Sequence, residues 1–207
     1  MTATPGIITV GELLHRIWAS YRRAFEDRLA ELEARPGGRV VPEAAFATDS
    51  GEMAQVGHTH LPARLDLCRV EAGRVTEAVR IAATELLVFD PVEFVWGKRL
   101  SVALSPFTWD ACALRFDPPT EPPLETLVAW YRRWFDEGDA RSPTNVFPGN
   151  VVHSMSDPLQ QGDAWWVILD LGSARLPALS ELLDALAETG MKRVALTRPP
   201  AEDLPTV

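Results

Sequence analysis

The chain has 207 residues, 46% hydrophobic and 24% charged, which suits one large domain or two small ones with a substantial core. Its 29 acids against 20 bases leave a net charge of −9. That field repels phosphate backbones and anionic lipid, so neither nucleic acid nor a membrane is expected as a partner, whereas a basic protein is favoured.

No run reaches the ~18 apolar residues a membrane span needs. The N-terminus "MTATPGIITVGELLHRIW" lacks a basic segment, a long apolar run and a small-residue cleavage site, so it does not read as a signal peptide. Cys68 and Cys112 have no metal-like spacing and make no disulfide framework. A reducing, cytoplasmic location is the expectation.

The first predicted element is a helix. Val10, Leu13, Leu14, Ile17, Trp18, Tyr21, Phe25, Leu29 and Leu32 recur at helical spacing. Thr9 followed by Glu12 predicts a capping box, and "RPGG" at 35–38 predicts the stop. Arg16, Arg22, Arg23, Glu26, Asp27 and Glu31 form its solvated face.

Residues 36–62 read as a long irregular segment, the kind that often serves as a lid or binding loop. "ARLDLCRV" and "RVTEAVRI" flank a glycine turn and predict a hairpin. "VEFVW" and "RLSVAL" flank Gly97-Lys98, which predicts a second hairpin with a two-residue turn.

The rest of the chain repeats itself. "DACALRFD" at 110–117 and "DAWWVILD" at 163–170 place Asp110 and Asp117 53 residues before Asp163 and Asp170. Each is followed by a leucine-spaced helix, with Leu124, Leu127 and Gly138 standing 52 residues before Leu176, Leu179 and Gly190. Pro122, Pro123 and Pro177 suit helix starts, and the two glycines suit helix ends. "NVVHSM" and "KRVALT" then supply a further strand each. The fold class expected is α+β. Its C-terminal part, 108–198, is expected to be a ferredoxin-like βαββαβ duplication, extended or covered by an N-terminal helix and antiparallel hairpins over 7–107. All belong to one domain, with a disordered tail over 199–207.

Candidate chemistry is sparse. His58 and His60 form the one H-x-H; on a strand both imidazoles would point the same way and share a divalent metal with Asp49 and Glu52. "VVHSMSD" at 151–157 contains His153, Ser154 and Asp157, but neighbours on a strand face opposite sides, so it reads as a strand end entering a polar turn. Cys112 reads as a buried thiol, and Cys68 falls on the more polar strand face. Ser173 reads as a helix cap, and the four repeat aspartates read as solvated turns. Nucleotide-binding glycine motifs are absent, so no organic cofactor is implied.

Seven tryptophans are a surplus, and consecutive Trp165 and Trp166 must face opposite sides of one strand. An exposed indole there is a candidate partner-binding anchor. With no catalytic constellation, the favoured reading is a non-catalytic interaction or accessory protein, such as an immunity-type inhibitor or an assembly factor. It binds a partner through an acidic, tryptophan-containing surface, or pairs with its own copy. The alternatives are a small metal-dependent hydrolase on His58 and His60, and a small-molecule binding module with 36–62 as lid.

Overall fold

The computed structural model describes residues 8–48, 52–82, 85–118, 120–138 and 149–200. The fold is mixed α+β. Most of the expected tail, from 201 onward, lies outside the described residues. Among the described residues, no helix is long and apolar enough to cross a membrane.

Helix α1 spans Val10–Glu33. The capping box is formed: the Glu12 N–H donates to Thr9 Oγ1 at 3.2 Å, and the Thr9 N–H donates to Glu12 Oε2 at 2.7 Å. These bonds satisfy two of the backbone donors that a helix start leaves free. The helix buries Leu13, Leu14, Ile17, Tyr21, Phe25 and Leu32 and ends at Ala34, just before "RPGG".

The described part of the 36–62 segment is irregular for most of its length but contributes three short strands. Strand β1 (Arg39–Pro42) pairs antiparallel with β4 (Leu67–Glu71), and β2 (Gln55–Val56) pairs with β3 (Leu61–Pro62). Strand β5 (Arg74–Val79) completes a three-stranded sheet in the order β1-β4-β5. The β4–β5 turn uses Ala72 and Gly73, both with positive φ, which matches the twist of a tight hairpin.

A seven-stranded sheet holds the rest: β6 (Val92–Trp96), β7 (Leu100–Leu104), β8 (Cys112–Phe116), β9 (Ser154–Met155), β10 (Leu159–Gln161), β11 (Ala164–Asp170) and β12 (Arg193–Thr197). Its order is β10-β11-β8-β12-β7-β6, with β9 also paired to β11. Every pairing is antiparallel except the parallel β12–β7. The β6–β7 turn is one residue longer than expected, because Trp96 opposes Leu100 and leaves Gly97, Lys98 and Arg99 in the loop.

Helices α2 (Leu124–Phe135) and α3 (Leu176–Glu188) pack on each other, and α3 also touches β6 and β7. Helix α2 stops at Asp136, which takes the left-handed conformation, and not at Gly138. Gly190 does follow the end of α3, with φ at 84°.

Residues directly opposite one another in a sheet share a face. One face carries the ladder Val167–Leu114–Leu196–Leu104, all fully buried beneath the helices. The other carries Leu159–Trp166–Arg115–Ala195–Ala103–Glu93, one residue from each of six neighbouring strands. Arg115, Glu93 and Leu159 are exposed there, and Ala103, Ala195 and Trp166 are half-buried.

Candidate functional site

The densest chemistry lies inside the protein, around His153. The residue precedes β9, its N–H bonds the Asp170 carbonyl, and its own carbonyl accepts from the Arg64 N–H and the Tyr131 hydroxyl. These bonds fix the backbone, so the imidazole is held inward with none of its side chain exposed. Glu43 arrives from the end of β1, Asp66 from the start of β4 and Asp170 from the end of β11. His153 Nε2 stands 3.1 Å from Glu43 Oε1. Its Nδ1 stands 3.3 Å from Asp66 Oδ1 and 4.0 Å from Asp170 Oδ2, yet makes no aligned hydrogen bond.

Each carboxylate is held separately. The Tyr21 hydroxyl donates to Asp66 Oδ1, and the Ile81 N–H donates to Asp66 Oδ2 at 2.8 Å. The Gly172 N–H donates to Asp170 Oδ1 at 3.0 Å, leaving Oδ2 toward the ring. The Gly149 N–H donates to Glu43 Oε2 at 2.7 Å. Arg64, also buried, binds the carbonyls of Glu43, Phe135 and Asp136. Gly172 is needed beside the ring: at φ 51°, a Cβ there would lie 2.3 Å from His153 Cδ2.

The electrostatics follow from burial and proximity. Desolvation alone pushes the imidazole down, but the hydrogen bonds and negative charge of Asp66 and Glu43, with Asp170 behind, raise it to about 10. Desolvation pushes Asp66 up, and His153, Tyr21 and the Ile81 N–H outweigh it, so its carboxyl falls below the usual range. Asp170 rises to about 7, first through burial and then through the Asp66 charge, against the pull of His153. A cluster of three carboxylates and one imidazole in a dry site can hold protons or a cation; left uncompensated, its charge is costly.

Three of the four expected metal ligands are placed elsewhere. His58 and His60 lie in the exposed turn between β2 and β3, not on a strand, and His60 has φ 51°. That turn is tied down by Asp157, whose carboxylate accepts the N–H of His58 at 2.6 Å and of Thr59 at 2.7 Å. Glu52 is exposed, and Asp49 lies outside the described residues. Among the described residues, the group of three ligand-type side chains close enough to share an ion is Asp66, His153 and Asp170.

Several further expectations are corrected. His153 does not lie on a strand end entering a polar turn but is buried just before β9, and Asp170 is not a solvated turn residue. Ser173 does not cap α3; its hydroxyl accepts the Val151 N–H, and Arg175 occupies the cap position. Cys68 is buried, with 3% of its surface exposed, and Cys112 is buried as expected. Glu43, Asp66 and Arg64 were not singled out by residue pattern. Their one signal is position: each is a charged residue among apolar neighbours, as in "PEAA", "LDLC" and "ARLD".

The second feature is the sheet face away from the helices. Trp165 opposes Phe116 and packs against the core, whereas Trp166 turns to the other face with Leu159 and Arg115. The Arg115 guanidinium lies 5.7 Å over the Trp166 ring, a cation–π distance. On this face Val95 is 66% exposed. Arg193 pairs with Glu93 at 2.7 Å, and Arg115 pairs with Asp117 at 2.8 Å, so its charges are balanced. A separate groove of about 390 Å³ runs between α1 and residues 85–88, lined by His15, Arg16, Arg23, Leu86 and Val88 among others.

The comparisons add no family. No protein-family model, curated protein or solved structure matches the chain. Two features therefore stand out chemically, one buried and one exposed.

Proposed function

We propose that the chain is a non-catalytic, cytoplasmic interaction protein whose sheet face binds a basic protein partner. The observation that carries the reading is the cross-sheet ladder Leu159–Trp166–Arg115–Ala195–Ala103–Glu93, with Val95 exposed on the same face. Beside Arg115 its centre is low, because Ala195 and Ala103 project only a methyl group. Its margin offers Trp166, Leu159 and Val95 as apolar contacts, and tryptophan is enriched among residues that dominate interface energies. The net charge of −9 favours encounter with a basic partner, while the paired charges on the face fix orientation.

The strand order supports a finer reading of the scaffold. Strands β12-β8-β11-β9 run antiparallel in the order fourth, first, third, second of a ferredoxin-like βαββαβ unit, with α2 and α3 as its helices. We read β6 and β7 as an extension beyond β12. That architecture hosts many functions, so it does not select one.

The test is Ala103→Arg, which places a long charged side chain at the centre of the face. Tagged wild type and variant are expressed in the native host and their co-purifying proteins identified, after circular dichroism shows equal folding. A basic protein retained by wild type and lost by the variant supports the reading. An identical set with both, or a wild type that only pairs with its own copy, overturns it.

A further inference from the structure

We propose that Asp66, His153 and Asp170 ligate a divalent cation, zinc or manganese, in a buried site, with Glu43 positioning the imidazole.

The first argument is geometric. One ligand atom from each of the three residues lies within 4.8 Å of the other two. Metal–ligand bonds of about 2.0–2.2 Å in tetrahedral array separate neighbouring ligand atoms by roughly 3.3–3.6 Å. The Nδ1 to Asp66 distance of 3.3 Å already meets that, and the Nδ1 to Asp170 distance of 4.0 Å needs only a small side-chain adjustment.

The second argument is the poorly satisfied nitrogen. His153 Nδ1 is fully buried and meets Asp66 Oδ1 only as a poorly aligned 3.3 Å ion pair, with no hydrogen bond of good geometry. Buried polar atoms are nearly always well satisfied, and an ion between Nδ1 and the two carboxylates would satisfy this one better than the misaligned pair does. Nδ1 faces two carboxylate oxygens, the donors that imidazole commonly joins around zinc or manganese.

The third argument is the surrounding shell. To offer a lone pair from Nδ1, the imidazolium must release its Nδ1 proton to solvent as the ion binds, keep the proton on Nε2 and donate it. Glu43 Oε1 stands 3.1 Å from Nε2 to receive it, the carboxylate–histidine–metal relay that fixes tautomer and ring orientation. The bonds from Tyr21, Ile81 and Gly172 orient the two ligating aspartates in the same way. A divalent ion would balance Asp66 and Asp170, while Glu43 accepts the Nε2–H hydrogen bond. Because Asp66 precedes β4 and bonds to α1 through Tyr21, the ion would pin the N-terminal helix and sheet to β11.

The experiment is elemental analysis of untagged protein, followed by chelator stripping and titration with zinc or manganese ions. About one ion per chain is expected, with a melting temperature that rises with ion concentration. Asp170→Asn keeps the shape and should lose that uptake. Glu43→Gln should weaken affinity by about 10–100-fold. The double variant His58→Ala/His60→Ala should bind as wild type does. No uptake and no thermal shift in wild type overturns the proposal. So does uptake that survives Asp170→Asn, or uptake abolished by the His58/His60 change alone.

Discussion

His153 and Glu43 meet at 3.1 Å although 110 residues separate them, and both side chains are essentially buried. The contact joins the β1 end of the small sheet to the β9 edge of the large one. Removing the imidazole would strand Glu43, Asp66 and Asp170 together without a positive partner. His153→Ala is therefore expected to cost about 3–5 kcal/mol, read by urea denaturation of metal-free protein. A loss under about 1 kcal/mol would mean that the cluster contributes little to the fold.

Gly172 supplies the space for that imidazole. Its φ of 51° is strained for any side chain, and a Cβ would meet the His153 ring at 2.3 Å. Gly172→Ala should destabilise by roughly 2–5 kcal/mol, combining backbone strain with overpacking. Gly97→Ala is the control: it has φ 57° with nothing within 4 Å, so only the backbone strain of about 1–2 kcal/mol is expected. Equal losses at the two sites in thermal unfolding would refute the packing argument.

Much of this architecture could be read from local pattern, and the cluster could not. Helix α1, its capping box and the two N-terminal hairpins depend on neighbours within a few residues, so spacing reveals them. The β6–β7 turn length and the end of α2 differed by one or two residues, because register and the left-handed Asp136 are set by the packed chain. His153, Asp66 and Asp170 look like ordinary polar residues in sequence. Their burial follows from contacts across 17 to 110 residues, which no periodicity encodes.

Arg64 should resist replacement even by lysine. Its guanidinium satisfies three carbonyls at 2.7 to 3.0 Å and lies over the Phe135 ring. A lysine ammonium lacks the planar fork and leaves at least one buried carbonyl unpaired, at a cost of about 1–3 kcal/mol. Hydrogen exchange should then rise at the C-terminal end of α2, around Phe135. Unchanged exchange there would argue that water replaces the lost bonds.

Asp157 gives a prediction with a defined pH sign. Desolvation raises its carboxyl, but Thr59 and the His58 N–H prevail, so it ionises below its ordinary 3.8. A lowered folded value means stability present above pH 3.8 and lost as pH falls through the folded value. Asp157→Asn should be less stable than wild type at neutral pH, and the gap should close in acid. A gap that stays constant down to pH 2 would show that the charge is not what ties the 57–60 turn.

The reading of the sheet face as the binding surface is tested most directly by hydroxyl-radical footprinting of the chain alone and in complex with its captured partner. The account predicts that oxidation of Trp166, Leu159 and Val95 falls on binding, while Leu86 and Val88 beside α1 react as before. Undiminished oxidation at Trp166 and Leu159, with protection at α1 instead, would contradict it.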